Sequence, residues 1–264
     1  MNAPATTTIQ PIGGPTALLT YGGLRILTDP AFDPPGDHPR PGSSIVLHKV
    51  TGPALGPDDV LPVDLVLLSH DHHSDNLDDA GRAFLPGAGS VLTTTAGAGR
   101  LGGNAVGLEP DQTADLQRPD RGVQITAVPA EHGSPEMFER NGPVLGFVLR
   151  GDELPTIYVS GDNASVDVVR QIATEHGPFD AAILFAGGAQ VPELWGDDVL
   201  LTLDAARAAE AAVIVAPATI VPIHQEGWSP FTSSPADVAR AFADAGVEDW
   251  LRWLKPGERA ELSG

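Results

Sequence analysis

No cysteine occurs in the 264 residues, which excludes disulfides, thiolate metal sites and cysteine nucleophiles and leaves histidine and carboxylate as the only strong metal ligands. Basic residues are scarce too. Fifteen lysines and arginines stand against 35 aspartates and glutamates, a formal charge of -20, and the only lysines are Lys49 and Lys255. A surface of that sign repels phosphate backbones and anionic lipid, so neither nucleic acid nor a membrane is an expected partner. A divalent ion in one cleft outweighs several distant carboxylates, which keeps a small anionic substrate within reach. Long hydrophobic runs are missing: the longest, Ala211 to Ile223, is broken by Pro217 and Pro222. The opening MNAPATTTIQPIGGP lacks the basic start and apolar core of a secretory signal, and the expected location is cytoplasmic.

What is abundant is punctuation. Thirty glycines and 25 prolines alongside 42% hydrophobic residues describe a turn-rich chain that still has enough apolar material for a core. No charge block, low-complexity tract or fixed-period repeat divides it, and the expectation is one domain over residues 1–264. The Pro-rich segment from Asp29 to Pro62 reads equally as a linker or as a surface excursion.

The first third reads as short strands with tight turns, at Thr6 to Gln10, Ala17 to Tyr21 and Leu24 to Thr28, the last two joined through Gly22 and Gly23. A loop from Asp29 to Gly42 follows, and then a buried-type strand, Asp64 to Leu68. Further strands are expected at Ser90 to Thr94, Val123 to Val128, Val144 to Arg150, Thr156 to Ser160, Ala181 to Phe185 and Thr219 to Ile223. Helices are expected at Leu77 to Leu85, Ser165 to His176, Leu203 to Ala212 and Pro235 to Ala245. Strands early and strand-helix alternation late predict a layered α/β sandwich.

Five of the eight histidines fall in three segments that each follow a predicted strand: His70, His72 and His73; His132; and His224. In extended chain residues i and i+2 point the same way, so His70 and His72 can offer two imidazoles to one ion, while His73 points oppositely. Val128 to Gly133, Tyr158 to Asn163 and Val221 to Gln225 each deliver one more ligand-type residue, His132, Asp162 and His224, from an apolar strand into a loop. The bland readings are carbonyl-bonded histidines at strand ends, a helix cap for Asp162 and a core histidine for His224. Asp75 either joins the ligands or, like Ser74, caps the helix that follows. Asp29, in Thr28-Asp29-Pro30, either orients a ligand histidine or starts a turn. His38, His48 and His176 read as surface or structural. Trp195, Trp228, Phe231, Met137 and Phe138 lie in loops beside these segments and can wall a pocket.

The order of these segments resembles the metallo-β-lactamase superfamily, in particular a branch of small hydrolases similar to the ascorbate-phosphate lactonases. The likeness covers Ile9 to about Leu262, including Thr28-Asp29-Pro30 and the closing Leu254 to Glu258. It implies a four-layer αββα sandwich with an HxHxDH segment, a later His, a bridging Asp and a last His around two divalent metals. Carried over, His70 and His72 match the HxH and His132 completes the first ion's imidazoles. Asp162 matches the bridging carboxylate, and His224 the last His. Two positions depart from the pattern: Asp75 follows His72 one residue late, with Asn76 where His is expected, and Gly13-Gly14-Pro15 stands where many relatives carry Gly-His. A neutral amide is a poorer ligand than imidazole, so the expectation is a tight ion at His70, His72, His132 and Asp162 and a weaker one at Asp75, Asp162 and His224.

Such a donor set suits zinc first, with manganese or iron as alternatives, as one or two ions. The ion lowers the pKa of bound water from about 16 to near 7 and so supplies hydroxide, with Asp75 or Asp162 holding or accepting the proton. The expected reaction is hydrolysis of a small-molecule lactone, ester, thioester or amide. The alternatives are a phosphodiesterase of the same fold, which the shortage of basic residues disfavours, and a non-catalytic metal-binding module.

Overall fold

The computed structural model describes residues 6–39, 45–117, 122–134, 137–138 and 142–262. The strands, in chain order, are β1 (Thr8–Gly13), β2 (Thr16–Tyr21), β3 (Leu24–Thr28), β4 (Gly36–Pro39), β5 (Val46–Lys49), β6 (Leu65–Leu67), β7 (Ser90–Thr94), β8 (Ala105–Leu108), β9 (Thr113–Gln117), β10 (Gly122–Ala130), β11 (Val144–Gly151), β12 (Ile157–Val159), β13 (Ala181–Phe185), β14 (Thr219–Ile223) and β15 (Ala260–Glu261). They form a seven-stranded sheet, β15-β1-β2-β3-β6-β7-β8, a six-stranded sheet, β14-β13-β12-β11-β10-β9, and the separate ribbon β4-β5. The β2–β3 turn uses Gly22 and Gly23, both at positive φ (+56° and +80°), as a tight two-residue hairpin connection requires.

Alternation along the strands sorts side chains into layers. Leu19, Ile26 and Leu67 of the first sheet meet Ile125, Phe147 and Ile183 of the second in one buried cluster between the sheets. On the far side of the second sheet, Val148, Tyr158 and Leu184 pack against helices Val166–His176, Ala205–Val215 and Pro235–Asp244, which contribute Val169, Ala208 and Phe242. On the far side of the first sheet, Leu18, Leu27 and Val66 cover Val60 and Phe84 of the short helices Pro57–Val60 and Asp79–Phe84. The layers therefore run helix, sheet, sheet, helix, as the αββα expectation has it. Among the described residues no helix is long and apolar enough to cross a membrane.

Two corrections follow. The loop expected from Asp29 to Gly42 contains β4, paired with β5 outside both main sheets; residues 40–44 lie outside the described residues. The helix expected from Leu77 starts at Asp79, because Asp78 is its N-cap and accepts from the Gly81 amide at 2.8 Å. Neither Ser74 nor Asp75 caps it. Ser165 likewise caps the helix after Asp162, which leaves that carboxylate for other work.

Candidate metal centre

β3, β6 and β7 are parallel, as are β12, β13 and β14, and β10 runs with β12 because both are antiparallel to β11. The segments that follow β3, β6, β10, β12 and β14 carry Asp29, His70, His132, Asp162 and His224, and their side chains converge. The Ser160-Gly161-Asp162 turn depends on its glycine: Gly161 has φ +58°, and a Cβ there would meet the Leu145 carbonyl oxygen at 2.3 Å. His224 itself sits at φ +57° and Asp29 at +29°, left-handed conformations that L residues rarely adopt and that concentrate at functional sites.

His70 Nε2 lies 2.8 Å from His73 Nδ1, and His132 Nε2 lies 3.2 Å from the same atom. With Asp162 they form a set whose ligand atoms are all within 4.8 Å of one another. The hydrogen bonds on the far sides of the rings fix which nitrogen is bare. His132 Nδ1 donates to the Leu201 carbonyl at 2.7 Å, leaving Nε2 as a lone pair. Ser69 gives its hydroxyl hydrogen to Asp29 Oδ1 at 2.8 Å, so its oxygen accepts from His70 Nδ1 at 2.9 Å, and His70 Nε2 is bare as well. Ser69 N also donates to Asp29 Oδ1 at 2.8 Å, which holds the relay in place.

Asp162 reaches both ways. Its Oδ2 stands 4.0 Å from His70 Nε2 and 3.6 Å from His132 Nδ1, while its Oδ1 lies 3.4 Å from His224 Nε2. Asp75 Oδ2 approaches the same His224 nitrogen at 3.7 Å. Asn76 Nδ2 donates to Asp162 Oδ1 at 3.3 Å, so this residue supports the carboxylate from the side. Buried His224 has neither ring nitrogen in a hydrogen bond, nor has Asn76 Oδ1.

Burial dominates the electrostatics. It pushes Asp162 well above the usual carboxylate range, aided by the charges of Asp75 and Asp29, and pushes Asp29 up to about 8 against the pull of its Ser69 hydrogen bonds. Burial, with neighbouring imidazoles, holds His70 well below its ordinary value, and burial with His132 lowers His224 to about 3. The centre thus gathers closely spaced imidazoles, of which burial keeps His70 and His224 neutral, around crowded carboxylates, an arrangement that a cation relieves. Tetrahedral ligands about 2.0–2.1 Å from zinc stand roughly 3.3 Å apart, and the observed nitrogen separations of 2.8 and 3.2 Å are close to that. The donors fit a divalent metal.

The sequence profile described as the beta-lactamase superfamily domain matches residues 24–225, more than half of the chain. The chain belongs to the beta-lactamase superfamily. A relative from Pyrococcus abyssi named as a metal-dependent hydrolase is 29% identical over 206 residues, 78% of this chain and 84% of that protein. Two crystal structures share the superfamily fold. Isothiocyanate hydrolase from Delia radicum gut bacteria superposes with a TM-score of 0.81 at 22% identity, over 97% of this chain and 100% of that one. A possible metal-dependent hydrolase from Veillonella parvula does so with 0.82 at 21%, over 98% and 100%.

Set against the superfamily's HxHxDH segment, the structure shifts one expectation. Leu77 and Asn76 amides donate to the His73 carbonyl at 2.9 and 3.2 Å, so residues 73–77 form a turn and the extended-chain alternation that sends His73 outward does not apply. His73 joins His70, His132 and Asp162, and His72 is outside that set, its ring 4.6 Å from that of His70. His73-Ser74-Asp75-Asn76 then keeps the HxDH spacing, and the additional residue falls between His70 and His73. Sequence reading missed Ser69 and the Leu201 carbonyl, for which no motif speaks. Of the aromatic candidates, Trp195 lines a cavity beside His132, Phe231 stacks edge-on against His224 with ring centroids 4.6 Å apart, and buried Met137 backs the same region. Trp228 packs on His38 and Lys49, and Phe138 is exposed.

Proposed function

We propose that this chain is a metal-dependent hydrolase of small-molecule carbonyl compounds, a lactone, ester or amide, with zinc as the first choice of metal and manganese or iron as alternatives. The observation that carries the reading is the pair of imidazoles, His70 and His132, whose Nδ1 atoms are committed to Ser69 and Leu201 so that both Nε2 atoms face His73, with Asp162 in the same set. His70, His73, His132 and Asp162 would hold the tighter ion, and Asp75, Asp162 and His224 a weaker one. A bound ion supplies Lewis acidity and an acidified water at neutral pH.

The remaining work falls to the chain's own groups. Asp75 and Asp162 would hold the proton in transit, Asp75 Oδ2 lying 3.7 Å from His224 Nε2 and Asp162 Oδ1 3.4 Å from it. Asn76 Nδ2 orients Asp162, and Ser69 with Asp29 orients His70. The acidic surface supports a small, non-polynucleotide substrate.

Purified protein loaded in turn with zinc, manganese and iron is assayed on generic lactone, ester, amide and phosphodiester substrates. The expected result is turnover of a carbonyl compound that Asp75→Asn lowers by at least about 100-fold, within the range of general acid-base contributions. Turnover of the phosphodiester alone, or of nothing, overturns the reading.

A further inference from the structure

Two spaces open from His73. One is a solvent-facing cleft of about 900 Å³ bordered by Asp33, Asp37, Asp79, Arg82 and Arg100. The other is a cavity of about 40 Å³ in which His73, Asp75 and His132 are the only titratable side chains among the described lining residues. Its remaining walls are apolar, with Leu47 from the β4–β5 ribbon, Pro230, and Ala189, Val191, Trp195 and Leu201 from the loop that joins β13 to helix Ala205–Val215.

This loop wall is a built feature. Met137, Ala189 and Leu201 form a buried apolar cluster of their own, apart from the clusters that cover the sheets, with Val191, Trp195 and Phe231 packed on it. Backbone bonds tie it down: Leu201 N donates to Ala189 O at 2.8 Å and Gln190 N to Pro230 O at 2.8 Å. Ser229 N donates to His48 O at 2.9 Å and so joins the ribbon to the same frame. Leu201 links both roles, since its carbonyl holds His132 while its side chain lines the cavity. A preformed apolar recess that ends on the proton-handling carboxylate and two metal-facing imidazoles has the composition of a binding site for an uncharged group.

Resting on the hydrolase reading above, we propose that this recess is the acyl-side subsite and that the substrate is a short-chain acyl compound. It places an apolar group of about three carbon atoms in the cavity and its larger, polar remainder in the cleft, with the scissile carbonyl at His73 between them. The size follows from the volume: about 40 Å³ gives room for roughly three or four water-sized atoms at ~10–15 Å³ each. The polarity follows from the walls, whose described side chains beyond His73, Asp75, His132 and the Trp195 indole are all aliphatic and so do little to replace water around a charged or hydroxylated chain.

The test measures binding and hydrolysis separately on metal-loaded protein. Dissociation constants for straight-chain primary amides from acetamide to octanamide are taken from NMR chemical-shift titrations. Affinity should rise about fourfold per CH₂ up to butanamide or pentanamide and then fall, because each buried CH₂ strengthens binding by that factor only while there is room. Trp195→Ala, at a half-buried wall position, should move the optimum to longer chains and tighten hexanamide at least tenfold, a gain that misfolding does not produce. Val191→Phe should abolish the chain-length preference. Affinity that climbs steadily to octanamide, a flat profile, or an optimum that Trp195→Ala leaves in place overturns the proposal. The matching p-nitrophenyl esters are assayed alongside. An amide optimum without turnover of any of these esters, of lactones or of the amides themselves refutes the hydrolase reading and leaves the subsite standing, whereas turnover with a flat amide profile does the reverse.

Discussion

His73 and His72 are neighbours in sequence, yet His73 and not His72 stands with His70, His132 and Asp162 in the candidate set. The turn closed on the His73 carbonyl brings its Nδ1 within 2.8 Å of His70 Nε2, whereas the His72 ring lies 4.6 Å from that of His70 and outside the set. His73→Ala should therefore reduce tightly bound metal after dialysis to well below that of the unmodified protein, and His72→Ala should leave it nearly intact, as read by elemental analysis per chain. The reverse ranking would restore the simple HxH pairing. Ser69→Ala removes the acceptor that keeps His70 in its Nδ1–H form, and the loss of such support should weaken metal 10-fold to 100-fold in competition with a chromophoric chelator. An unchanged affinity would mean that His70 needs no relay. The convergence of His70, His132, Asp162 and His224 was legible because each follows an apolar strand. His73 and Ser69 were not, because a turn and a hydroxyl relay are decided by contacts made across the fold.

The ribbon β4-β5 is the element that pattern reading lost. Its sequences, Gly-Asp-His-Pro and Val-Leu-His-Lys, have neither a buried run nor a clean alternation, since the ribbon covers no sheet. Besides backbone bonds such as Ser229 N to His48 O, one buried cation anchors it. Lys49 Nζ lies 2.9 Å from Asp78 Oδ2, with the two side chains 4% and 0% exposed, donates to Ala31 O at 3.0 Å and sits 5.1 Å above the Trp228 ring. Removing one partner of a buried pair leaves the other uncompensated, so Lys49→Met should cost about 3 kcal/mol in urea unfolding. A loss under about 1 kcal/mol would show that the ribbon is held elsewhere. The helix Thr95–Leu101 was illegible for a related reason: Thr-Ala-Gly-Ala-Gly-Arg-Leu has weak intrinsic propensity, and its N-cap, Thr94, is the last residue of β7. By contrast β3, β7, β13 and β14 match the expected bounds residue for residue, because continuous apolar or strictly placed β-formers leave one solution.

On the scale of the molecule, two sheets share one core and bring their strand ends to a single edge, where five strand-following segments meet. The centre carries a cost of its own, since burial pushes both Asp29 and Asp162 upward and the charge of Asp75 adds to each. A cation bound there should stabilise the whole fold: metal at 100 times its dissociation constant adds about 2.7 kcal/mol, or roughly 5 to 10 °C in Tm. A melt that chelator and added zinc leave unmoved would contradict this. The most direct measurement is anomalous diffraction from crystals of the metal-loaded protein. The expected result is a peak bound by His70 Nε2, His73 Nδ1, His132 Nε2 and an Asp162 oxygen, each about 2.0–2.2 Å away. A peak that takes His72 in place of His73, or no peak among these residues, would contradict it.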